Sequence, residues 1–206
     1  KDISGVAEAV DVERNFELIS KLHPNIKNLL IINDKSITGL AVKKDLTKII
    51  EKYKKEFDIE YTDNLEISDL KTKVSNLEKG NSAILFVLLF KDTTGKYFTY
   101  KQSFEEVRKV SKVPIYGLWD FYLNSGMVGG LLTSAVAQGQ TVSKMAIEVL
   151  NGKDIKDIPV VEESPNIYIF NYNELKRFNI DIPKYIENPI IINEPRSIYK
   201  EHKNFF

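Results

Sequence analysis

Residues 83–90 read AILFVLLF and run directly into KDTTG at 91–95. Eight consecutive apolar residues ended by a polar, glycine-containing loop describe a strand covered on both faces, because a strand with one wet face alternates polar with apolar. Toward the N-terminus the same punctuation recurs. LLII at 29–32 stops abruptly at Asn33 and Asp34, and a weaker strand is expected over 58–61. Between these runs the apolar positions return at helical spacing: Val42, Leu46, Ile49, Ile50 and Tyr53 within 40–57, then Leu65, Leu70, Val74 and Leu77 within 64–77. Phe16, Ile19 and Leu22 mark an earlier helix over 12–22, with Asp11 placed as its N-cap. Toward the C-terminus a helix over 103–111 leads into a strand over 113–117, opened by Pro114 where a missing N–H is tolerated.

Strands alternating with helices are crossover units, so the expected fold class is α/β: a doubly wound parallel sheet of about five strands in flavodoxin-like order, forming a single domain over 1–206. The rest of the chain is expected to hold a long helix over 127–150, closed by Asn151 and Gly152, a fifth strand at 167–170 and a helical turn at 174–178. In that long helix the paired Gly129 and Gly130 and the Ala and Ser positions suggest close backbone packing. Residues 183–206, punctuated by Pro183, Pro189 and Pro195, read as an extended tail.

Composition narrows the chemistry. With 43% hydrophobic and 28% charged residues over 206 positions, the chain has an ordinary globular make-up. Its 29 basic and 29 acidic residues cancel, which removes the positive field that nucleic-acid binding draws on. There is no cysteine, so thiolate zinc sites and cysteine nucleophiles are excluded. Of two histidines, His23 precedes Pro24 and His202 lies in the tail, which leaves little material for a triad or a metal site. No G-x-x-x-x-G-K-[ST], G-x-G-x-x-G or G-x-S-x-G motif occurs. A phosphate-receiving domain would want a lysine after its fifth strand, where Phe170 and Asn171 stand instead. The expectation is therefore a binding protein, without enzymatic activity, cofactor or metal. The longest apolar run falls far short of the roughly 20 residues of a membrane helix, so any membrane association is expected through a segment outside this chain. Starting at Lys1 without a signal-peptide pattern, the chain is expected to be a processed product or an excised piece.

In an open parallel sheet, ligands bind beyond the carboxyl ends of the strands. Those ends carry Asn33, Asp34, Ser36 and Thr38 after the first strand, Lys91 and Asp92 after the third, and Trp119, Asp120 and Tyr122 after the fourth. Asp and Asn are also ordinary turn formers. Their joint appearance with the single tryptophan makes the rim the candidate binding surface. Phe90, Tyr116 and Trp119 are expected to supply apolar area, and Asp34, Asp92 and Asp120 to orient an amine or hydroxyls by charge-assisted hydrogen bonds.

Longer stretches carry a resemblance. VPIYGLWDFYLNSGMVGG at 113–130, Gln138 with Gly139, LNGKDIKDIPV at 150–160, SPNIYIFNYNELKRFNI at 164–180 and the opening SGVAEAVDVERNFELISKLHPNIKNLLIINDKSITG at 4–39 resemble the ABC-type substrate-binding protein family of the periplasmic type I fold. The ending, IDIPKYIENPIIINEPRSIYKEHKNFF at 180–206, is similar to the branch used as extracellular sensor domains of membrane histidine kinases and diguanylate cyclases. The resemblance implies a two-lobed clamshell, of which this chain supplies the second lobe and the return to the hinge, while most of the first lobe is absent. Carried over by matching positions, the binding residues are Asp34 with Ser36 and Thr38, Asp92, and Trp119 with Asp120. The function so implied is extracytoplasmic sensing of a small organic ligand, an amino acid or similar polar metabolite. A solute receptor for an ABC permease, and an intracellular enzyme or interaction module, stand as alternatives. The small-residue helix offers a surface for the absent lobe or for a homodimer.

Overall fold

The computed structural model describes residues 3–195. Its frame is a seven-stranded sheet in the order β2-β1-β3-β4-β5-β6-β7. The strands are β1 (Asn28–Ile32), β2 (Asp58–Thr62), β3 (Ser82–Phe86), β4 (Ile115–Gly117), β5 (Gly129–Leu132), β6 (Ile167–Asn171) and β7 (Ile190–Ile192). The first five run parallel, β6 is antiparallel to β5, and β7 is parallel to β6. The helices are α1 (Val12–Leu22), α2 (Ile37–Tyr53), α3 (Ile67–Ser75), α4 (Tyr100–Val110), α5 (Ala135–Leu150) and α6 (Tyr172–Phe178).

Strand side chains alternate faces, and both faces are covered, which is why the strands read as unbroken apolar runs. Leu29, Ile31, Ala83 and Leu85 point to one side, against Phe16 and Ile19 of α1 and Leu46 of α2. Leu30, Ile32, Ile84 and Phe86 point to the other, against Val74 of α3 and Phe104 and Val107 of α4. Asp11 caps α1 as its position suggests, accepting from Arg14 N at 2.9 Å. A capping box between Thr99 and Gln102 starts α4 at Tyr100, three residues ahead of the expected start, and so brings Tyr100 to the rim.

Two expectations are corrected here. The sheet has seven strands rather than five, because residues 129–132 form β5 instead of beginning a long helix, and 190–192 pair with β6 instead of trailing as tail. The glycine pair does pack closely, but within a strand. Gly129 and Gly130 take φ values of 139° and 156°. A Cβ on Gly129 would lie 2.2 Å from Ile169 O, and one on Gly130 2.5 Å from Asn15 Oδ1. Asn15, fully buried on α1, serves β5 as a substitute strand partner: its Nδ2 donates to Leu131 O at 2.8 Å and its Oδ1 accepts from Leu131 N at 3.0 Å. The helix that follows is correspondingly shorter, and Ala137 is its single buried residue. The remaining tail expectation, residues 196–206 with His202, lies outside the described residues.

Candidate functional site

The rim is assembled at the carboxyl ends of β1, β3 and β4. Asp34 lies two residues beyond the end of β1, and its carboxylate is spoken for. Oδ1 accepts from Ser36 N at 2.9 Å and from Ser36 Oγ, while Oδ2 accepts from the backbone N of Phe90 at 2.6 Å. That last bond ties the loop after β1 to the loop after β3. Ser36 Oγ in turn accepts from Gly39 N, capping α2, and a Cβ on Gly39 would come within 2.4 Å of Asp34 O, so the turn closes tightly only with glycine. Thr38 stands exposed on the first turn of α2 beside Ile37, which is 90% exposed.

Asp92 is likewise turned inward. Its Oδ1 accepts from Thr94 N, Thr94 Oγ1 and Lys96 N at 3.0, 2.6 and 3.0 Å, and its Oδ2 from Ile67 N at the start of α3. Burial opposes its ionisation, but these hydrogen bonds outweigh it and hold the carboxyl below its ordinary value. Both aspartates are thus loop fasteners. Between the loops lies a concavity of about 460 Å³ bordered by Ser36, Asp63, Phe90, Asp92 and Tyr97. Asp63 is paired with Lys43 Nζ at 2.6 Å.

The rim's apolar area is a continuous ladder of rings. Phe90 meets Tyr100 at 4.5 Å between centroids, Tyr100 meets Phe121 at 4.3 Å, and Phe121 stacks on Trp119 at 6.0 Å and 19°. Tyr122 backs the ladder from the core, where it is fully buried. Tyr100 and Phe121 remain 43% and 42% exposed, so the ladder presents ring surface outward instead of completing the core. At its end Trp119, itself nearly buried, donates from Nε1 to Glu8 Oε1 at 2.8 Å. Asp120, half-buried, opens the short 3-10 turn Asp120–Ser125 that carries Phe121.

Glu8 belongs to an N-terminal segment strapped along residues 159–166. Ala7 N donates to Val161 O at 2.8 Å, Val161 N to Gly5 O at 2.9 Å, and Asn166 Nδ2 to Ala9 O at 2.9 Å. Gln138 Nε2, from the first turn of α5, reaches Ala7 O. The ribbon so formed brings both of its segments to the end of the rim marked by Trp119.

One expected rim residue is not on the rim. Tyr116 lies mid-strand in β4, fully buried, with its hydroxyl 2.6 Å from His23 Nε2 on the face covered by α1. A side chain at that register stands perpendicular to the sheet and cannot reach past its end. Burial pushes the Tyr116 hydroxyl up and lowers His23 to about 4, so the imidazole is neutral near pH 7. Conversely, Tyr100, Phe121 and Glu8 join the site without any sign in the sequence that marks them off from other tyrosines, phenylalanines and glutamates. Among the described residues no cluster of His, Asp and Glu is arranged to hold a metal ion, and no helix is long and apolar enough to cross a membrane.

The family described as ABC transporter substrate binding protein matches residues 1–188. The chain belongs to that family. A "Tyrosine-binding protein" of Clostridioides difficile (strain R20291) is 23% identical over 192 residues, covering 91% of this chain and 54% of that protein. Among solved structures, a ligand-free, open substrate binding protein with adhesive properties from Clostridium difficile superposes with a TM-score of 0.69 at 20% identity, over 93% of this chain and 63% of that one. An ABC domain from Streptococcus pneumonia in complex with L-Trp gives 0.62 at 19%, over 92% and 63%. These likenesses establish the α/β fold. The chain spans about half the length of the curated relative it matches and under two thirds of the solved structures.

Proposed function

We propose that this chain is the ligand-binding lobe of an extracytoplasmic solute-binding protein, and that its ligand is a small aromatic amino acid. The ring ladder Phe90–Tyr100–Phe121–Trp119 carries the reading. It is a flat, half-exposed apolar surface at the ligand-binding edge of a parallel sheet, the kind of surface on which another aromatic ring stacks. The tyrosine binding of one relative and the L-Trp complex of another support the same class. The opposite wall of the cleft belongs to the length that the relatives possess and this chain does not span. We assign the apolar face of α5 to that same length rather than to a second copy of the chain: Val142, Val149 and Leu150 are 47%, 38% and 84% exposed, and no described element covers them.

Closure on a ligand shifts a hinge equilibrium only if the closed form binds it more tightly than the open one. Two outputs are compatible with the family match: signalling, which the stretch 180–206 suggests, and delivery of solute to a permease. Permease genes beside this one, against a membrane span and signalling module following Phe206, separate the two.

Thermal unfolding of the full-length protein against the standard amino acids tests the ligand class. L-tyrosine, L-phenylalanine or L-tryptophan should raise the midpoint, since a ligand at 100 times its dissociation constant stabilises by about 2.7 kcal/mol. A flat response to all three aromatic amino acids overturns the proposal.

A further inference from the structure

An amino acid presents an ammonium group as well as a side chain, and two of the three rim aspartates, Asp34 and Asp92, are engaged by their own loops, while the third, Asp120, is half-buried at the start of its 3-10 turn. Asp34 and Asp92 spend both carboxylate oxygens on their own loops, each accepting from backbone N–H groups that would otherwise be orphaned. Asp63 is engaged by Lys43 and Tyr61. Glu8 differs. Among the described residues its one hydrogen-bond donor is the Trp119 indole, at 2.8 Å, and no basic side chain pairs with it. A carboxylate offers about four acceptor sites, so one indole N–H leaves most of its capacity open. Exposed, and fixed to the ring that ends the ladder, the carboxylate sits where a ligand stacked on Phe121 would have its polar end within reach. Ring faces next to it add cation–π attraction for the same group.

We infer that Glu8 receives the ammonium group of the bound amino acid while holding Trp119, so that a residue of the terminal ribbon supplies the charge and the ladder supplies the ring surface. The inference rests on the aromatic amino acid reading above and adds the polar half of the ligand to it. It also displaces Asp34 and Asp92 from the role that sequence reasoning gave them.

Three probes separate the polar groups: L-tyrosine, tyramine, which keeps the ammonium and lacks the carboxylate, and 3-(4-hydroxyphenyl)propionate, which lacks the ammonium. Each is titrated calorimetrically into the full-length protein and its Glu8→Gln variant. Glutamine still accepts from Trp119, and where the emission that Trp119 contributes, taken as the difference from a Trp119→Phe protein, is unchanged in the unliganded variant, the ladder is intact. Affinity for L-tyrosine and tyramine should fall by about tenfold or more, as expected for a lost charge-assisted hydrogen bond, with the propionate held within about twofold. Equal losses on all three probes, or no loss on any, overturn the inference while leaving the reading of the site intact. A loss confined to Asp120→Asn also overturns it, moving the anchor to the turn. If the unaltered protein binds none of L-tyrosine, L-phenylalanine and L-tryptophan, the reading of the site fails and this inference falls with it.

Discussion

The two ends of the rim are built on opposite plans. At the β1–β3 end polar side chains predominate, yet Asp34 and Asp92 face inward and hold loops together. At the β4 end the surface is apolar and incomplete: Tyr100 and Phe121 keep much of their rings exposed, and Glu8 is committed to a single donor. A charged residue beyond a strand therefore says little about ligands until its acceptors are accounted for. An aromatic ring left half-exposed beside a buried core says more, because leaving it there forgoes burial that the fold could otherwise gain.

The largest expected effect breaks this contrast if it fails. Asp34→Ala removes the acceptor of the Phe90 N–H and of the Ser36 backbone and hydroxyl. With each unsatisfied buried donor costing about 1–3 kcal/mol, a stability loss of about 3 kcal/mol is expected in urea unfolding. A loss below about 1 kcal/mol would mean that Asp34 is not a fastener and is available to a ligand after all. Next in size, Phe121→Ala should reduce affinity for the aromatic amino acid by more than about tenfold, while stability falls by only about 1–2 kcal/mol, because the ring is only partly buried. Calorimetry and unfolding on the same variant check both halves. If stability collapses and affinity holds, the ladder is core and not site.

The acid limb sharpens the polar end alone. Asp92 has its carboxyl lowered in the folded state, so the folded form releases the proton more readily than the unfolded chain. Its contribution is then fully present above the ordinary carboxylate range and is lost as pH falls through the lower folded value. Asp92→Asn should lower stability near pH 7, where that contribution is fully present, and remove the slope that it gives the profile below about pH 4. An acid limb identical in the two proteins would show that the hydrogen bonds of the KDTTG loop do not favour the charged form.

Much of the frame was legible because it is written in local chemistry. Continuous apolar runs gave β1 and β3, helical spacing gave α1 and α2, and Asp11 announced the start of α1. What escaped is decided by partners distant in sequence. Gly129 and Gly130 look like helix-packing residues until β6, some forty positions on, pairs with the segment and makes it a strand, with Asn15, more than a hundred positions away, bonding Leu131. Glu8 meets Trp119 across 111 positions, and nothing near either residue signals the other. The aspartates were located correctly at strand ends, but their orientation is set by loop closure, which their spacing does not encode.

Tyr116 yields the smallest effect and isolates that last point. It is an aromatic residue close to a strand end, as Trp119 is, yet it is fully buried and bonded to His23 on the covered face. Tyr116→Phe keeps the ring and removes only the hydroxyl, which leaves His23 Nε2 without this partner. About 1 kcal/mol of stability should be lost, the usual net worth of one hydrogen bond, and the affinity for the aromatic amino acid should not change. The variant also bears on acid sensitivity. His23, lowered to about 4 by burial, stays neutral when folded while the unfolded chain gains a proton near pH 6.5, so stability should decline as pH falls from about 6.5 toward 4. Removing the hydroxyl leaves the burial in place and should preserve that decline, whereas His23→Gln should abolish it. A Tyr116→Phe protein that binds its ligand tenfold more weakly would return this residue to the rim and undo the distinction between rings that face the cleft and rings that fill the core.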